Sequence, residues 1–169
     1  MKIVVVADTH MPKMSKSLPA ALRGQLKDAD AIIHAGDWTR LSVYDELSAY
    51  APVYGVVGNN DGPDIASRFG MRELLTFGGL RIGVVHGHGA PRRMNTEAQA
   101  LAAFSGERLS AIVYGHSHVP VLRHDPDGTL VFNPGSPTDK RRQPLYSFGI
   151  FTIDDGRLAA RHLTYADKR

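Results

Sequence analysis

The sequence predicts an α/β fold in which two packed sheets carry helices on their outer faces. Three observations support that expectation. The first third alternates short buried strands with amphipathic helices, in the β-α-β-α-β order that parallel strands with helical crossovers require. The remainder is rich in hairpin signals: Gly78-Gly79, Pro126-Asp127-Gly128 and Asp154-Asp155-Gly156 each separate two apolar runs. Within the 169 residues there is no repeat and no linker-like stretch, so a single domain over 1–169 is expected.

The elements follow in order. Residues 2–7 form a continuous β-branched run and read as a strand buried on both faces. Residues 17–27 place Leu18, Ala21, Leu22 and Leu26 at helical spacing, with Ser17 as N-cap and Pro19 in the first turn. Residues 31–34 are a second buried strand, 42–50 a helix ending before Pro52, and 53–57 a third strand. Residues 73–77 pair with 80–85 across the two glycines. Residues 96–109 read as a helix and 111–114 as a strand. Two further hairpins join 119–124 to 129–132 and 147–153 to 157–164.

Composition excludes several function classes. Hydrophobic residues at 43% and charged residues at 22% rule out a disordered chain. Cysteine is absent, which removes disulfides, thiolate metal sites, iron–sulfur clusters and a cysteine nucleophile. Lys and Arg total 20 against 17 Asp and Glu, and the basic clusters Arg92-Arg93, Lys140-Arg141-Arg142 and Lys168-Arg169 are short. They read as solvated surface, so no dedicated nucleic-acid binding is expected. The apolar run 3–7 is too short for a signal segment and Asp8 follows at once, and no stretch approaches a membrane span. A cytoplasmic protein without membrane contact is expected.

The chemistry gathers where strands end. Five of them run into Asp8-Thr9-His10, His34-Ala35-Gly36-Asp37, Gly58-Asn59-Asn60-Asp61, His86-Gly87-His88-Gly89 and Gly115-His116-Ser117-His118. Ligand sites in open α/β sheets lie at the carboxyl ends of strands. In extended backbone, residues i and i+2 point the same way, so Asp8 with His10, and His116 with His118, can each face one pocket. Oxygen and imidazole ligands without thiolate suit Mn, Fe, Co, Ni or Zn. Two such ions about 3.5–4 Å apart need a bridging carboxylate, and Asp37 is the natural candidate. Taken alone, an Asp-x-His is a loop or cap more often than a ligand, and Gly-Asp or Gly-Asn-Asn-Asp is ordinary turn chemistry. The weight lies in their joint order and in four of eight histidines falling into two tight pairs.

With these motifs the chain resembles the calcineurin-like metallophosphoesterases, and more narrowly their small bacterial and archaeal phosphodiesterases. Asn133-Pro134-Gly135-Ser136 also resembles that subfamily, so the likeness spans almost the whole chain. It implies a four-layer α/β/β/α sandwich of two mixed sheets flanked by helices. It implies one metal on Asp8, His10, Asp37 and His118 and a second on Asp37, Asn59, His86 and His116. His88 matches a second histidine common in the small subfamily, with an implied role beside the ligands or facing phosphate. Larger relatives carry histidine after the ligand asparagine, where this chain has Asn60. Asparagine can hold a phosphate oxygen but is no general acid near neutral pH, and this points to the small phosphodiesterases.

The implied activity is hydrolysis of a small phosphorylated substrate by a metal-dependent phosphodiesterase. Its two divalent cations, manganese foremost, would activate a hydroxide for in-line attack, with Asn60 and His88 as candidate phosphate-facing residues. Three alternatives stay open: a phosphomonoesterase, a nucleotide pyrophosphatase on the same site, and a non-catalytic scaffold of the same fold. Exposed sheet edges leave homo-oligomers open as well. Of the other histidines, His34 at a strand end is expected beside the ligands, and His124 and His162 at the surface or a sheet edge.

Overall fold

The computed structural model describes residues 1–89 and 91–169. Its first third is β1 (Lys2–Val6), α1 (Ala20–Leu26), β2 (Ala31–His34), α2 (Leu41–Ser48) and β3 (Val53–Gly55). After a short α3 (Pro63–Ala66) come the hairpin β4 (Arg72–Phe77) and β5 (Leu80–Val85), then α4 (Thr96–Ala103) and β6 (Ala111–Val113). The hairpins β7 (Val121–His124) with β8 (Leu130–Asn133), and β9 (Tyr146–Asp154) with β10 (Arg157–Tyr165), complete the chain.

Two mixed five-stranded sheets result, in the orders β10-β9-β1-β2-β3 and β4-β5-β6-β8-β7. β1, β2 and β3 are mutually parallel, and β9 returns antiparallel on the other side of β1. In the second sheet β5, β6 and β8 run parallel, with β4 and β7 antiparallel at the two edges.

The strand period of two explains the layers. Ile3 and Val5 of β1 face a core shared with Leu75, Ile82, Val84, Val113 and Phe132 of the second sheet. Val4 and Val6 face the opposite way, onto Leu22 and Leu26 of α1 and Leu47 of α2. Ile112 and Val131 on the far face of the second sheet pack on Ala100 of α4 and on Phe104. The order is therefore helix, sheet, sheet, helix. Each fully buried aliphatic side chain contributes on the order of 1.5–3 kcal/mol. A helix cap gives about 1 kcal/mol, and α1 and α2 have no side-chain cap at all. Packing between layers therefore holds this frame.

Three expectations change. The first helix starts at Ala20 instead of 17, because Pro19 pushes Leu18 out of helical backbone and Ser17 makes no cap. α4 ends at Ala103 and not at 109; the chain turns through Gly106, whose φ is +83°. β3 leaves the ladder after Gly55, although Val56 and Val57 stay buried and Val57 N–H donates to Gly70 O. α3 escapes a periodicity reading because four residues are barely one turn. No helix among the described residues is long and apolar enough to cross a membrane.

Candidate metal centre

The loops after β1, β2, β3, β5 and β6 meet at one end of the two sheets. Two groups of side chains there offer ligand atoms within 4.8 Å of one another: Asp8, His10 and His118, and Asp37, His86 and His116. They are neighbours. Asp37 Oδ2 lies 3.5 Å from His10 Nε2 and 3.3 Å from His86 Nε2. Asp8 Oδ1 lies 3.8 Å from His10 Nε2, 3.5 Å from His118 Nε2 and 3.8 Å from His86 Nε2. Asn59 joins through its Oδ1, 3.1 Å from His86 Nε2. All seven residues expected as ligands converge, from both sheets.

The backbone is bent to achieve this. Asp8, His10, Asp37, His116 and His118 all have left-handed φ, between +43° and +69°. For non-glycine residues that costs on the order of 1–3 kcal/mol each, and such strain clusters at functional sites. Close approach also needs glycine: a Cβ on Gly58 would sit 2.2 Å from both Asp37 N and Asp37 Oδ1.

Main-chain carbonyls set the imidazoles. His118 Nδ1 donates to Asp139 O at 2.6 Å and His86 Nδ1 to Ala35 O at 2.7 Å, so in both rings it is Nε2 that faces the pocket. Asp61, at the end of the Gly58-Asn59-Asn60-Asp61 motif, supports the site without joining either group. Its carboxylate accepts from the N–H groups of Asp37 (2.9 Å), Gly58 (2.7 Å) and Thr39 (2.7 Å) and ties two ligand loops together. Ser136 and Thr138 do the same for the β1 loop. Ser136 Oγ donates to Asp8 O at 2.8 Å, and Thr138 Oγ1 to Thr9 O at 2.6 Å. Asn133 donates to Gly115 O at 3.0 Å.

Buried His34 lies beside the ligands as expected. Its Nδ1 accepts from Gly36 N–H at 3.2 Å and its Nε2 donates to Thr9 Oγ1 at 3.0 Å, while its ring stacks on Trp38. His162 lies at a sheet edge as expected, on the outermost strand β10; its ring is partly buried on Phe132 and donates from Nε2 to Asn133 O at 2.7 Å. Asn60 is exposed beside Asp37: its side-chain amide donates to Asp37 Oδ2 at 2.7 Å and its N–H to Asp37 Oδ1 at 2.8 Å. His88 stands beside the second group, its ring centre 5.3 Å from that of His86 and 6.3 Å from that of His116.

The donor set fits cations. Asp8 Oδ1 is buried with no hydrogen-bond partner, a costly state for a carboxylate oxygen unless a cation answers it. Burial pushes the Asp8 carboxyl up to about 7. Burial opposes charge at Asp37 too, but His86 and the Asn60 donors hold that carboxyl below its usual range. Burial pushes His118 down to about 4 and lowers His10 and His116 as well, which leaves neutral imidazoles suited to ligation. His86 is the exception. Burial disfavours its charge, but Asp37, Asp8 and Ala35 O outweigh this and raise it.

Comparison with known proteins gives the family and the fold. Residues 1–156 match the calcineurin-like phosphoesterase superfamily domain. A probable metallophosphoesterase of Methanothermobacter thermautotrophicus is 34% identical over 164 residues, 95% of this chain and 90% of the relative. An archaeal phosphodiesterase of known structure aligns at TM-score 0.72 and 24% identity, covering 98% of this chain and 100% of that one. Vps29 of Entamoeba histolytica complexed with zinc aligns at TM-score 0.76 and 23% identity, covering 97% and 99%. At such identities these two structures speak for the fold, while the sequence match speaks for the family. The chain belongs to the calcineurin-like phosphoesterase superfamily, a metal-dependent family of hydrolases acting on phosphate esters.

Proposed function

We propose that this protein is a phosphodiesterase working with two divalent cations, manganese foremost. Asp8, His10, Asp37 and His118 would hold one cation, and Asp37, Asn59, His86 and His116 the other. The observation that carries the reading is the partnerless, buried Asp8 Oδ1 facing three imidazole Nε2 atoms. Beside it lies Asp37, whose Oδ2 reaches toward both groups. When bound, such ions supply Lewis acidity, acidifying water and neutralising phosphoester charge.

The chain's own residues do the rest. Asn60 holds Asp37 in place through two donors, so that Asp37 can lie between the two groups. His88 Nδ1 is buried without a partner, and burial lowers the ring's pKa. The neutral ring is therefore available to hold a phosphate oxygen, and the residue is a poor proton donor. With asparagine at position 60 and a neutral imidazole at 88, the leaving oxygen receives little acid assistance. That favours diesters with acidic leaving groups over alkyl monoesters. The archaeal phosphodiesterase that shares the fold is consistent with this choice.

The test is hydrolysis of bis(p-nitrophenyl) phosphate and p-nitrophenyl phosphate by metal-stripped protein resupplied with Mn, Ni, Co, Zn or Mg. Metal-dependent diester cleavage exceeding monoester cleavage is expected. A preference for the monoester with every metal would overturn the phosphodiesterase assignment.

A further inference from the structure

The loop that follows Ser136 carries an arginine that the metal centre does not need. Lys140 to Gln143 form a tight turn closed by Gln143 N–H to Lys140 O at 2.8 Å, and Lys140 Nζ donates to Pro144 O at 3.2 Å. Arg141 is the second residue of this turn, with φ +48°. Left-handed backbone there favours Gly, Asn or Asp, so an arginine is held against local preference.

Arg141 stands next to the site. Its Nε lies 3.8 Å from Asp139 Oδ2, and the same oxygen lies 3.6 Å from His118 Nδ1. The other end of the loop is anchored by Ser136 Oγ on Asp8 O and by Asp139 O on His118. Burial is the main cause of the shifts at Asp8, His10, His116 and His118, but the positive charge of Arg141 reaches all four.

Neither stability nor metal binding explains this placement. Among the described residues Arg141 has Asp139 as its one ionic partner, too distant for a hydrogen bond, and the arginine side chain is 50% exposed. Exposed pairs of that kind contribute little. A fixed cation beside a cluster built to hold cations repels them. An anion that arrives once the cations are in place would instead be attracted.

We propose that Arg141 is a substrate-binding residue that clamps the non-bridging oxygens of the phosphate group at the metal centre. A guanidinium presents a planar fork of donors that matches phosphate, and its half-exposed position on a rigid turn leaves that fork free for a ligand. This deepens the phosphoesterase reading of the same site and rests on it.

The experiment compares wild type, Arg141→Gln and Arg141→Lys, all loaded with manganese. Metal content is checked by elemental analysis. Inorganic phosphate binding is measured by calorimetry, and KM and kcat are measured on bis(p-nitrophenyl) phosphate. Arg141→Gln should retain metal at wild-type or higher affinity, weaken phosphate binding about tenfold or more, and raise KM in parallel. Arg141→Lys should fall between. Phosphate affinity within twofold of wild type in Arg141→Gln would overturn the proposal, and so would loss of metal from that variant. Arg141-dependent phosphate binding by a protein that cleaves no ester would sink the phosphodiesterase reading and leave the clamp standing. Ester cleavage with Arg141-independent phosphate binding would do the reverse.

Discussion

His118 Nδ1 lies 2.6 Å from the main-chain oxygen of Asp139. A carbonyl only accepts, so this nitrogen carries the proton and Nε2 is left bare toward Asp8 and His10. Asp139 is itself placed by Ser136, whose Oγ accepts from Asp139 N–H at 2.8 Å and from Thr138 N–H at 3.2 Å while donating to Asp8 O. One buried hydroxyl thereby aligns two candidate ligands that are 110 residues apart in the sequence.

Ser136→Ala should therefore show two effects. Loss of these buried bonds should cost about 1–3 kcal/mol of stability, read by denaturant unfolding. Manganese affinity should fall about tenfold, because groups behind the ligands orient them. A stability loss with unchanged metal affinity would contradict the positioning role.

Asp37 and His118 should differ in what they hold. Asp37→Asn should release both cations, since its carboxylate faces both groups. His118→Ala should weaken mainly one, leaving the set around His86 in place. Elemental analysis after dialysis at fixed free manganese distinguishes the two. Equal metal content in the two variants would refute the shared position of Asp37.

Metal affinity should rise with pH up to about neutrality. Burial holds the proton on Asp8 up to about 7, against an ordinary value of 3.8, and His86 is also raised because Asp37, Asp8 and Ala35 O outweigh its burial. Both must lose a proton to ligate, so metal binding at pH 6 should release protons and the release should fade above pH 8. The sign for folding of the metal-free protein is opposite. A raised Asp8 stabilises the metal-free protein fully below pH 3.8, and that contribution disappears as pH rises through about 7. Calorimetry of manganese binding in buffers of different ionisation enthalpy counts the protons. Asp8→Asn should lower the count.

Gly58→Ala tests the close approach. The new Cβ would lie 2.2 Å from Asp37 N and Asp37 Oδ1, and backbone cannot yield as a side-chain tip does. Destabilisation of about 1–3 kcal/mol and loss of bound metal are expected. Wild-type metal content in a folded variant would show that the β3 loop moves freely relative to Asp37.

Much of this was legible in the sequence, for physical reasons. The continuous β-branched run before Asp8 announces a strand buried on both faces, and Ile3 and Val4 indeed face different cores. Histidine pairs two residues apart at strand ends point to candidate ligands, and three of those four histidines fall in the two groups. The supporting roles were not legible, although Asp61 and Ser136 lie within the motifs themselves. Asp61, Ser136 and Asp139 act across loops far apart in the chain, and nothing in their local pattern separates a loop-tying carboxylate from a turn former. Helix ends depart from periodicity where local backbone chemistry overrides it, as at Pro19 and Gly106. Asn60 was read from its place in a motif, whereas its partner, Asp37, lies 23 residues away.

The most direct test of the two-metal centre is a manganese titration of the metal-stripped protein followed by low-temperature electron paramagnetic resonance. Two ions per chain with an exchange-coupled multiline signal are expected, because Asp37 would be shared between them. One ion per chain, or two ions giving only independent six-line signals, would contradict the centre described above.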